Sequence, residues 1–136
     1  MSIDQAQRIF LMAMGIGLVP IALTYGAVPG KSLPWLYGIS DPDLATRHVF
    51  RAVMGLYLGM ICFWLAGVLW PSLRTAALWT VFVFVTGIAL GRVLSLILDG
   101  WPGPLLLLYL PAEIVLAVAA LLLIVLARGR KSEAPT

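Results

Sequence analysis

The sequence predicts an all-α integral membrane protein: a four-helix bundle, up-down-up-down, with a long outer loop between the first and second helices. Three observations carry this reading. Of 136 residues, 62% are hydrophobic and 11% charged, where a soluble domain carries about 25% charged residues. Four apolar stretches, Ile9 to Val28, Ala52 to Trp70, Ala76 to Leu98 and Leu105 to Ala127, each approach or exceed the roughly 20 residues that cross about 30 Å of hydrocarbon as a helix. The polar/apolar alternation that membrane-barrel strands require is absent.

These stretches give one transmembrane domain over 1–136, with helices at about 8–27, 42–70, 74–98 and 104–128 and a polar tail at 129–136. Arg8 before an apolar run has the outline of a signal peptide. Gly15, Gly17 and Pro20 interrupt that run, so it reads as a retained helix. The connection VPGKSLPWLYGISDPD, residues 28–43, is proline-rich and holds Trp35 and Tyr37, aromatics suited to the membrane surface; it is expected to lie there as a lid or belt. At its end Asp41 is placed to cap the second helix, with Pro42 in the first turn and Asp43 at the positive end of the dipole. The short links at 71–74 and 100–104 force antiparallel neighbours.

Arg8, Arg74, Arg128, Arg130 and Lys131 collect at one end of this arrangement. The positive-inside rule then puts both termini in the cytoplasm, in a bacterial inner membrane. A net charge of +3 is met by topology and anionic lipid, so no nucleic-acid partner is expected. Gly55 and Gly59 form one GxxxG and Gly87 and Gly91 another, marking expected packing faces.

Within the spans, Arg51, Arg92 and Glu113 are out of place, and a tight hairpin allows their depths to be compared by reflection about its turn. Reflection about residues 72 and 73 sets Arg51 opposite Leu94; reflection about Pro102 sets Arg92 opposite Ala112, beside Glu113. All three share a level about 10 to 13 Å below the outer end, at 1.5 Å per residue. Arg92, Ser95 and Asp99 recur at helical spacing, as do His48, Arg51 and Gly55, and Tyr109, Glu113 and Ala117. The expectation is a polar funnel opening outward, with Asp99, Arg47 and His48 above Arg51, Arg92 and Glu113.

Ionisable residues in a span cost roughly 3 kcal/mol each and usually mark a site. Two arginines sharing one glutamate leave room for an anionic head group on a guanidinium fork. The competing reading is a buried Arg92–Glu113 salt bridge that fixes helix register while Arg51 snorkels to the surface. Asp43 and Arg47, four apart, read as a solvated pair. With a single histidine, His48, and a single cysteine, Cys62, histidine-pair haem or metal ligation, an intrachain disulfide, a CxxC redox pair and a thiolate metal cage are excluded. No metal and no cofactor is expected.

The segments ALTYGAVPGKSLP, HVFRAVMGLYLGM and GRVLSLILDGWPGPLLLLYLPAEIVLA closely resemble the domain-of-unknown-function 4345 family of small bacterial membrane proteins, over about residues 10 to 127. The resemblance implies a four-helix membrane protein, distantly similar to DoxX-like bundles, with motif positions at Arg51, Arg92, Asp99 and Glu113. It assigns no activity. The expected function is capture of an anionic amphiphile, such as a lipid, fatty acid or quinone-like molecule, by Arg51, Arg92, Glu113, Asp99, His48, Ser95 and Tyr109. The alternatives are an accessory or assembly subunit of a membrane complex, or a homo-oligomer, docking through the GxxxG faces, and a small membrane enzyme acting on a lipid-soluble substrate. A non-enzymatic role is favoured, since no recognisable catalytic pattern is present.

Overall fold

The computed structural model describes the backbone of residues 1–132 and the side chains of residues 1–129. It holds five helices: α1 (Ile3–Gly26), α2 (Pro29–Tyr37), α3 (Leu44–Leu69), α4 (Pro71–Leu98) and α5 (Pro104–Ser132). Four of them, α1, α3, α4 and α5, are long and apolar enough to cross a membrane. The end of the expected polar tail, 133–136, lies outside the described residues, and 129–132 continue α5.

Local chemistry sets each boundary. α1 begins five residues before the expected Arg8, because Ser2 and Gln5 close a reciprocal capping box: the Gln5 N–H donates to Ser2 Oγ and the Ser2 N–H to Gln5 Oε1. The outer connection is not a plain loop. Pro29 starts α2 at a position where its missing N–H costs nothing, and Gly38, at φ 68°, stops it by returning its own N–H to the Leu33 and Pro34 carbonyls. Asp43, not Asp41, caps α3, accepting from the Thr46 N–H at 2.7 Å. Asp41 instead takes a left-handed turn at φ 47° and lies 3.8 Å from Arg47, whose Nε donates to the Pro42 carbonyl. The expected Asp43–Arg47 pair is thus replaced by Asp41–Arg47.

Between α3 and α4 a single residue, Trp70, ends one helix and starts the next, with Pro71 in the first turn of α4. The last carbonyls of α3 are closed by a side chain from across this corner: Arg74 Nε donates to the Gly67 carbonyl at 3.1 Å and Nη2 to Val68 at 3.3 Å. Its Nη1 binds the Asp4 carboxylate of α1. Arg74 is only 6% exposed.

Consecutive spans pack on one another, α1 most extensively on α3, while α1 and α5 touch sparsely. The core runs through Leu11, Trp64, Leu78, Val81 and Ile124, and Trp64 Nε1 donates to Thr80 Oγ1 at 3.2 Å. The close approaches use glycines other than the expected ones. A Cβ on Gly26 would sit 2.8 Å from the Arg51 Cα and Met54 Cβ, and one on Gly67 would sit 2.6 Å from the Ala77 Cβ. Gly55, Gly59, Gly87 and Gly91 have nothing within 4 Å. The reason is azimuth: Gly55 is two residues from buried Tyr57, about 200° round a helix at 100° per residue, so its stripe faces away from the bundle. Inside α5, Pro111 removes a ladder hydrogen bond to the Leu107 carbonyl.

Two outcomes test this packing by denaturation in detergent. Gly26→Val is expected to destabilise by about 1–3 kcal/mol through overpacking, whereas Gly59→Ala is neutral or gains up to about 1 kcal/mol of helix propensity. The hydrogen bonds from Thr46 hold the Asp43 carboxyl below its ordinary range. A depressed folded-state value means that the cap contributes at neutral pH and is lost as pH falls through it. Asp43→Ala should therefore melt below the wild type at pH 7, with the gap closing in strong acid.

Candidate functional site

One of the spans' expected meetings of charge is present. α4 and α5, joined by the short link 99–103, bring Arg92 to Glu113, with Nε donating to both carboxylate oxygens at 2.9 and 3.0 Å. The side chains are 18% and 12% exposed. One turn nearer the α4–α5 link, the Tyr109 ring lies under the guanidinium, 5.3 Å from its carbon to the ring centroid, where the negative face of the ring favours the cation.

A chain of aromatic rings meets this pair from the other two spans. Tyr25 of α1 and Tyr57 of α3 are tilted together at 5.3 Å, and Phe84 of α4 stands edge-on to Tyr57 at 5.0 Å. Tyr37 of α2 stacks on Tyr25 at 5.6 Å, its hydroxyl 3.1 Å from Thr24 Oγ1. The Tyr25 hydroxyl stands beside Arg92. Together Tyr25, Tyr57, Phe84, Ile88, Arg92 and Glu113 surround a cavity of about 80 Å³. That is room for two or three waters or a small oxygen-bearing head group, at about 30 Å³ per water.

Leu18 and Ile21 of α1 and Leu116 and exposed Ala112 of α5 line the cavity as well, so it borders the place where those two helices meet. This is the sparse α1–α5 seam, pinned lower down where Gln7 Nε2 donates to the Leu123 carbonyl at 3.1 Å. Over the outer end, α2 is seated through fully buried Leu33 and stacked Tyr37.

The funnel expected from the sequence is not formed. Arg51 is exposed and stands outside the Arg92–Glu113 pair, because it sits six residues from buried Tyr57, about 240° round α3. His48 is exposed as well, and no ion pair joins it to Asp99 among the described residues. Asp99 accepts from Ser95 Oγ at 2.7 Å, both exposed near the end of α4. Ser95 also borders a second hollow of about 70 Å³ with Arg92, Pro102 and Leu106. Of the seven expected site residues, the structure brings together Arg92, Glu113 and Tyr109, leaves Ser95 and Asp99 as an adjoining outer pair, and sets Arg51 and His48 apart.

A pair that only fixed register would use Arg92 Nε and need nothing more. Nη1 and Nη2 make no hydrogen bond of normal geometry to the protein among the described residues. They are not sealed in either: Thr86 Oγ1 is the one buried side-chain nitrogen or oxygen without a partner among those residues. The guanidinium therefore keeps some open surface, with the Tyr25 hydroxyl beside it and both the cavity and the second hollow bordering it.

The family model for a domain of unknown function, DUF4345, matches residues 6–124, which span α1 to most of α5 and contain every residue of this cavity. The chain belongs to the DUF4345 family. Comparison with curated proteins and with solved structures finds no match. Within this DUF4345 chain, Tyr25, Tyr57 and Tyr37 are the site residues that sequence reasoning underweighted. α1 and α2 have no tight turn to the other spans, so reflection does not reach Tyr25 or Tyr37, and Tyr57, which it does set opposite Ile88, carries no charge to single it out.

Removing one partner of the ion pair leaves the other charge stranded in a span, which costs about 3 kcal/mol. Arg92→Leu alone is therefore expected to destabilise by about that amount, and Arg92→Leu with Glu113→Leu to recover most of it. Unfolding of the two variants in one detergent measures the difference.

Proposed function

We propose that this protein holds the oxygen-bearing head of a membrane-dissolved amphiphile in the cavity beside Arg92, without catalysing its conversion. The observation that carries the reading is a guanidinium that lines the cavity, its Nε fixed by Glu113 and its Nη1 and Nη2 not sealed in. Such a fork is suited to an acceptor oxygen. The sparse α1–α5 contact beside the cavity, with Ala112 exposed there, supports a ligand that arrives through the lipid between these helices with its tail outside, rather than from beneath α2.

With Arg51 outside, the site holds one cation and one anion and has no surplus charge to balance. The expected preference for an anion loses its basis. A neutral head with a carbonyl, quinone-like or ester-like, supplies the acceptor and brings no charge into the span. We further propose an inner-membrane location with both termini cytoplasmic, as the basic residues Arg8, Arg74 and Arg128 at one end favour. The accessory-subunit alternative draws on the outward-facing glycines of α3 and α4. It requires a co-purifying protein in mild detergent.

Native mass spectrometry of protein released from lipid nanodiscs tests the main reading. A bound small amphiphile is expected on the wild type and is expected to be absent from the Arg92→Leu, Glu113→Leu double variant, with little change in melting temperature. A wild type free of any adduct, or a double variant that keeps it, would sink the proposal.

A further inference from the structure

The bundle has a second polar basin, at the end opposite the Arg92 cavity and unrelated to it. It measures about 380 Å³ and lies where the start of α1, the start of α4 and the end of α5 converge. Its polar lining is Asp4 and Gln7 from α1, Arg74 and Thr75 from α4, and Arg128 from α5; Leu78, Ile124 and Ala127 form an apolar wall.

The charges in this basin are only partly paired off. Arg74 is committed to two backbone carbonyls and one oxygen of Asp4. Asp4 is 62% exposed in its side chain, and no donor reaches its other carboxylate oxygen among the described residues. Gln7 spends its amide nitrogen on the Leu123 carbonyl, which leaves its oxygen as an acceptor. Across the basin Arg128 is steadied by stacking on Trp79, at 5.4 Å from the ring centroid. It has no carboxylate partner among the described residues. α1 therefore brings acceptors and negative charge to the basin, while α4 and α5 bring the Thr75 hydroxyl and a held guanidinium.

Depth fixes what can come here. Arg128 lies 24 residues beyond the start of α5, about 36 Å along the helix at 1.5 Å per residue, past the roughly 30 Å of hydrocarbon and level with lipid head groups. We propose that this basin binds a zwitterionic aminophospholipid head group. The phosphodiester rests on Arg128 and Thr75, the ammonium on Asp4 and the Gln7 oxygen, and the acyl chains run down the wall of Leu78, Ile124 and Ala127. A purely anionic lipid would satisfy Arg128 but bring no cation to Asp4: a glycerol head offers only neutral hydroxyls there, and a second phosphate would repel it.

The test is native mass spectrometry of delipidated full-length protein titrated with dioleoyl phosphatidylethanolamine and, separately, dioleoyl phosphatidylglycerol. The wild type is expected to take up the ethanolamine lipid at least fivefold more readily. Arg128→Gln is expected to weaken both lipids about fivefold or more, and Asp4→Asn to abolish the preference by weakening the ethanolamine lipid alone. Because Asp4→Asn also loosens Arg74, its melting temperature is measured alongside, and Arg128→Gln, which breaks no hydrogen bond or ion pair among the described residues and loses only the Trp79 contact, carries the test by itself if the Asp4 variant unfolds. Equal or tighter binding of phosphatidylglycerol, an Arg128→Gln protein that binds like the wild type, or competition by soluble phosphoethanolamine as strong as by the lipid would each overturn the proposal. The Arg92→Leu, Glu113→Leu variant should retain this lipid, so failure at one site is read separately from failure at the other.

Discussion

Hydrocarbon cannot hydrogen-bond, and that constraint governs nearly every polar group in this bundle. Arg92 is tolerated mid-span because Glu113 meets it from the neighbouring helix at 2.9 Å and because Tyr109 covers its flat face. The pair also sets the relative rotation and register of α4 and α5, since a shift of one residue would turn one partner toward lipid. The aromatic chain from Tyr37 through Tyr25 and Tyr57 to Phe84 then closes around a group that the ion pair has already positioned. Remove the pair and the cavity loses both its polar wall and the reason for its place.

Arg74 answers the same constraint at the opposite end in a different way. A single-residue corner at Trp70 leaves the last turn of α3 with carbonyls that no following backbone can reach. The guanidinium of Arg74 folds back to take two of them and spends its remaining arm on Asp4. One side chain thus closes a helix end and ties α1 to the α3–α4 corner.

The four spans were legible in the sequence because twenty apolar residues in a row have few other uses. The Arg92–Glu113 meeting was legible too, because a tight turn fixes depth on both of its arms. Depth is not direction, however. Arg51 shares the level of Arg92 in the sequence but stands about 240° round α3 from the buried Tyr57 line, whereas Arg92 lies seven residues from buried Val85 and returns to nearly the same face. The glycine pairs failed as packing marks for the same reason. α2 escaped notice because nine residues with two prolines show no clear helical period, and Arg74 because a basic residue at a turn looks like a topology signal until the carbonyls it serves are in view.

Pro111 stands between Tyr109 and Glu113. It divides α5 into a long limb that carries the carboxylate and a short outer limb that carries the ring, with one rung of the ladder missing at their junction. The carboxylate thus rides on the stretch where the ladder is whole, while the ring that covers the guanidinium rides on the stretch beyond the missing rung, so the two sides of one cation are held by backbone of unequal stiffness.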